Sequence, residues 1–102
     1  MLSVLCSAVA HQDSHHILFY EYGGENVVER RAPHREAHLA RIREARQAGG
    51  LVMAGGIGDP PNGGVLVFRG VEPSEIEAFV ADDPYVKAGL VTSWRVEPWK
   101  LV

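Results

Sequence analysis

Glycine pairs cut this chain into short pieces. Gly23-Gly24 and Gly49-Gly50 each follow a stretch of uniform character, and residues 55–64 read GGIGDPPNGG. Glycine and proline are the strongest local breakers of regular structure, so each of these places ends an element. Before the first break, Ile17 to Tyr22 is rich in β-formers and reads as a strand. Val27 to Pro33 reads as a connection carrying Arg30 and Arg31. A helix is expected from His34 to Ala48, where Glu36, Ala37, Leu39, Ala40, Arg41, Arg43, Glu44, Ala45 and Arg46 are good helix formers. Pro33 suits its first turn and Gly49 its end.

The rest follows the same logic. Residues 51–54 read as a short strand, 55–64 as a loop, and 65–68 as a third strand. A second helix is expected over 74–81. Asp83-Pro84-Tyr85 opens a further helical turn that Gly89 closes, and 92–97 is a fourth strand. The order β-α-β-β-α-β is the split-βαβ or ferredoxin-like pattern. It predicts an α+β fold: one antiparallel sheet with both helices on one face. The other sheet face is left open. Apolar residues there need a cover, which points to a homodimer formed through that face.

The chain of 102 residues is enough for one domain, and 46% hydrophobic with 23% charged residues describes a globular protein. A net charge of −3 offers nothing to nucleic acid or an acidic membrane. Cys6 is the only cysteine, so neither an internal disulfide nor a cysteine metal cluster can form within one chain. That fits a reducing compartment, and the expected location is cytoplasmic. The apolar runs are far shorter than a membrane span. Residues 1–16 read as an N-terminal extension to a domain over 17–102. Its apolar head has no basic n-region, and a short targeting remnant is the alternative.

Two residues stand out for chemistry. On the first helix, positions 38, 42, 45 and 49 share a face whose apolar members are Ile42 and Ala45. His38 therefore points at the sheet, either as a satisfied core histidine or as the floor of a pocket. On the second, Ile76, Phe79 and Val80 form an apolar stripe, and Asp83 falls where that stripe would continue. An inward carboxylate needs a partner. Asp before Pro is also a good N-cap, and a carboxylate with two oxygens can serve both uses. A carboxylate that accepts from one ring nitrogen of His38 would fix its tautomer and free the other nitrogen to take a proton. Arg35 could hold a substrate anion, with Arg31 and Tyr85 in lesser versions of that role; an exposed helix arginine is the plain alternative. His34 and His38 have the spacing of a two-histidine metal site, but no third ligand adjoins them and no metal is expected.

The segment Arg35-Glu36-Ala37-His38-Leu39 resembles the R-x-x-HL helix motif of YciI-like (YCII-related) proteins. Asp83-Pro84-Tyr85-Val86-Lys87-Ala88-Gly89-Leu90 resembles that family's DPY-x-x-AGL segment, the most distinctive of the matches. Ala54-Gly55-Gly56 is similar to its AGP-type strand end, and Val96-Glu97-Pro98-Trp99 to its closing V-x-P-[FW]. The resemblance implies a dimeric α/β barrel related to the ferredoxin-like fold, with His38 and Asp83 as the active-site pair. It also implies kinship with dehydrochlorinases that act on chlorinated aromatic intermediates. Gly56 stands where a proline is usual, and residues 1–16 lie outside the family pattern.

Two functions follow. The first is an enzyme without a cofactor, performing elimination, lyase-type or isomerase chemistry on a small molecule. His38 would act as base or acid, Asp83 would orient it, and Arg35, Arg31 and Tyr85 would contact substrate. The second is a dimeric module that binds a small ligand, or only a scaffold, without turnover.

Overall fold

The computed structural model describes residues 14–102. Most of the expected N-terminal extension, with Cys6, lies outside the described residues. Strand β1 (His15–Tyr22) leads to helix α1 (Val27–Gln47), then to the hairpin of β2 (Leu51–Ile57) and β3 (Gly63–Arg69). Helix α2 (Pro73–Ala81), the short α3 (Pro84–Lys87) and β4 (Val91–Trp99) complete the chain. The four strands lie in the order β2-β3-β1-β4, and every neighbouring pair is antiparallel. This is the ferredoxin-like α+β fold expected from the element order.

Alternate residues of the central strands build the core. Leu18 and Tyr20 from β1, Leu66 and Phe68 from β3, and Ile76 and Val80 from α2 are each at most 4% exposed. Directly opposed residues in antiparallel strands point to the same side. The register Tyr20↔Gly64 and Leu18↔Leu66 therefore sets a polar phenol beside an open glycine position on the helix-covered face.

Several element boundaries differ from the sequence reading. Helix α1 starts at Val27, so residues 27–33 are helix and not a connection. Pro33 cannot donate to the carbonyl one turn back, but it lies on an exposed face that water can reach. The first turn is secured instead by Arg30, whose Nη1 donates to the carbonyls of Gly23 and Glu25. Strands β2 and β3 extend into the glycine segment, with Gly55↔Val65, Gly56↔Gly64 and Ile57↔Gly63 paired. Only the tip is a turn, closed by Asn62 N–H donating to Ile57 O at 2.8 Å. Gly63 is needed there, since a Cβ would stand 2.6 Å from the Tyr20 carbonyl oxygen. Finally, β1 starts at His15, and β4 continues through Pro98 to Trp99. His15 and His16 thus lie in a strand. Proline is tolerated in β4 because that strand is a sheet edge.

The face away from the helices carries the row Met53, Val67, Ile17 and Glu97, and beside it Val65, Phe19 and Arg95. Met53 is 56% and Ile57 46% exposed. Trp94 and Trp99 are each 42% exposed, so neither is a core residue.

Candidate active site

The earlier start of α1 changes what that helix can present. Arg31, Arg35 and His38 now fall at i, i+4 and i+7 of one continuous helix, and so on one face. His38 packs inward with its side chain 12% exposed. Across from it, Asp83 ends the α2 stripe and opens α3, with Pro84 behind it as the first helical residue. Asp83 is completely buried.

Asp83 accepts from three donors. Its Oδ1 lies 2.8 Å from His38 Nδ1 and 3.0 Å from the Tyr85 backbone N–H, while its Oδ2 accepts from Tyr20 O–H at 2.7 Å. Capping and pairing with His38 therefore occur together, on one oxygen. Burial alone would raise the carboxyl's pKa. The hydrogen bonds from His38 and Tyr20, the attraction of His38 and the Tyr85 amide outweigh burial, so Asp83 is held below its ordinary 3.8. The Tyr20 hydroxyl moves strongly the other way, first through burial and then through the Asp83 charge next to it. Tyr20 stays a proton donor and Asp83 an acceptor. An ionised Asp83 requires the proton of neutral His38 on Nδ1, which leaves Nε2 with a free lone pair.

The Tyr85 ring stacks on the His38 ring with centroids 3.8 Å apart and planes 7° from parallel. Tyr22 meets Tyr85 edge-on at 6.1 Å. Burial, and next the neighbouring Tyr85, raise the Tyr22 hydroxyl; Arg31 and Arg35 partly offset this. Arg35 Nη1 reaches the Tyr85 hydroxyl at 3.5 Å.

These side chains border a cavity of about 210 Å³. His38, Tyr85, Arg31 and Arg35 line one side; Tyr20, Tyr22, Leu66 and the strand residues Ala54, Gly55, Gly56 and Gly64 line the other. At Gly64 a Cβ would come within 3.2 Å of the Tyr22 hydroxyl, so the missing side chain provides part of the space. All five residues singled out from the sequence, His38, Asp83, Arg35, Arg31 and Tyr85, meet at this place, with Asp83 just behind the lining. Tyr20 and Tyr22 were missed. Their signal was the inward alternation Leu18, Tyr20, Tyr22 along β1, since a buried phenol must find a partner. His34 does not line the cavity, and among the described residues no group of three His, Cys, Asp or Glu gathers to hold a metal.

The model of the YCII-related domain matches residues 16–100. The chain belongs to the YCII-related family. No curated protein matches it. Among solved structures this YCII-related chain is similar to 5-chloro-2-hydroxyhydroquinone dehydrochlorinase (TftG) from Burkholderia phenoliruptrix AC1100, in complex with 2,5-dihydroxybenzoquinone. The two are 26% identical, with a TM-score of 0.67, over 83% of this chain and 93% of TftG. Among the described residues of the YCII-related chain, no helix is long and apolar enough to cross a membrane.

Proposed function

We propose that this protein is an enzyme that removes a proton from a small ring-shaped substrate, with His38 as the general base. The observation that carries this reading is the convergence of three donors on buried Asp83, one of them His38 Nδ1 at 2.8 Å, beside the cavity that His38 lines. Asp83 holds the imidazole in one tautomer, and Nε2 is the nitrogen that receives the proton. Arg35, Arg31 and Tyr85 contact the substrate. Proton transfer of this kind needs no cofactor.

The likeness to TftG supports elimination as the reaction and a hydroxylated, chlorinated aromatic ring as the substrate class. His38 Nε2 takes a proton from a ring hydroxyl and returns it to the chlorine-bearing carbon, which gives a keto tautomer. It then takes a second hydroxyl proton; the electron pair moves into the ring, the carbon–chlorine bond breaks with chloride keeping its pair, and a hydroxyquinone remains. The test is chloride release from 5-chloro-2-hydroxyhydroquinone. The wild type is expected to release chloride, and His38→Ala to lose about two to four orders of magnitude in rate while staying folded. Equal rates in both would refute the assignment.

Binding without turnover is the competing reading. It is favoured by the structural use of Asp83, which also caps α3 and anchors Tyr20 of β1. Ligand binding by a wild type inactive on chlorinated, lactone and 2-oxo-acid substrates would support it.

We further propose that two copies pair through the open sheet face, where Met53 and Ile57 stand exposed beside Val65 and Phe19. Sedimentation velocity that shows only monomer at micromolar concentration would refute this.

A further inference from the structure

Two guanidinium groups line the cavity, and no carboxylate does. The nearest carboxylate, Asp83, is already engaged by His38, Tyr20 and the Tyr85 amide. The arginines differ in how they are held. Arg35 is an exposed residue and reaches the Tyr85 hydroxyl. Arg31 makes no hydrogen bond or ion pair among the described residues, and its Nε is shielded from solvent with no partner. A guanidinium N–H withdrawn from water and left unpaired costs free energy, and a planar oxyanion is the group that matches its fork.

The remaining lining defines the other end of the ligand. Tyr85, Leu39 and Ile42 make an apolar and aromatic wall on the helix side, and Tyr22 and Leu66 stand with the glycines on the sheet side. At about 210 Å³ the space is below the roughly 300–1,000 Å³ of drug-sized sites, so it suits one substituted ring.

We infer that Arg31 is the specificity-determining residue of this site, and that the ligand is a small planar ring with one oxyanion, a carboxylate or an ionised phenol, paired to its guanidinium. This rests on reading the cavity as the substrate site, but not on turnover. The ring lies on the aromatic wall with its oxyanion toward α1, which leaves another edge of the ring for His38.

Matched ligands that differ in charge test it by calorimetry. 2,5-Dihydroxybenzoate is compared with 2,5-dihydroxybenzamide, and 4-nitrophenolate with 4-nitroanisole at a pH where the phenol is ionised. The wild type is expected to bind at least one anion about tenfold more tightly than its neutral counterpart. The pair with the larger ratio tells whether the oxyanion is a carboxylate or a phenolate. Arg31→Gln should erase that preference, leave neutral affinity within about twofold and keep the thermal midpoint. Arg31→Lys should retain part of it, since the charge remains but the fork is lost. A preference that survives in Arg31→Gln overturns the inference. So does equal binding of neutral and anionic partners, or no measurable binding of any probe at millimolar concentration. A wild type that prefers anions but releases no chloride would sink the proposed reaction and leave this inference standing. Chloride release with no effect of Arg31→Gln on anion preference would do the reverse.

Discussion

On the helix-covered face of the sheet Tyr20 is 4% exposed, and its hydroxyl is bonded to a carboxylate that is itself out of contact with solvent. One residue earlier on the same strand, Phe19 faces the other way, half-buried under the Arg95 guanidinium at 4.0 Å. Alternation along β1 sends Leu18 and the phenols of Tyr20 and Tyr22 into the protein, and Ile17 and Phe19 toward its outside. The covered face pairs the buried Asp83 carboxylate with three donors, because a charge out of reach of water is costly when unpaired. The open face has no such demand, and exposes Met53 and Ile57. Buried polarity that is paired marks the place where chemistry is concentrated, while exposed apolar surface marks the place where another surface is expected.

The largest effect should come from deleting the hub of the covered face. Asp83→Ala strands His38 Nδ1, the Tyr20 hydroxyl and the Tyr85 amide around a fully buried position. The expected cost is about 3 kcal/mol or more in urea denaturation. A loss under about 1 kcal/mol would mean that the cluster relaxes to satisfy its donors in other ways.

Tyr20→Phe should cost less, about 1–2 kcal/mol, since only one hydrogen bond is lost. It also changes the response to acid. Asp83 is held below 3.8, so its contribution to stability is complete above that value and is lost as the pH falls through its lower native value. Without the Tyr20 donor the native value rises toward 3.8, so the loss should be smaller and finish at higher pH. In Asp83→Asn this acid-dependent loss should disappear. Denaturation curves between neutral pH and pH 2 check both, and parallel acid limbs in all three proteins would contradict the assigned ionisation.

On the open face, Met53→Glu or Ile57→Lys should change the stability of the chain itself by no more than about 0.5 kcal/mol, because both side chains are largely exposed. Either should nevertheless weaken self-association, read by sedimentation velocity. A large loss of stability with no change in association would reverse the contrast between the faces.

The sequence signals that worked were local ones. Asp83 before Pro84 announced a cap, and the cap is there. Glycine at 49 announced the end of α1, and at φ 90° it follows the cap residue Ala48. The signals that failed were also local, read too strictly. Pro33 signals the first turn of a helix, but the helix begins at Val27, which puts Arg31 on the His38 face and not in a connection. The glycines at 55, 56, 63 and 64 read as loop by composition, although cross-strand pairing makes them strand. Glycine tells where the chain is permitted to turn, and only the neighbouring strand tells whether it does.

By itself the amino-acid sequence determined the order of the elements and the inward placement of His38 and Asp83. Each depends on periodicity or on caps within a few residues. The tertiary structure alone decided that His38 meets Asp83 across 45 residues of chain, that Tyr20 meets it across 63, and that Arg31 borders the same cavity. Those meetings are set by strand register and by the packing of α1 and α3 over the sheet, which join residues with no local signal in common.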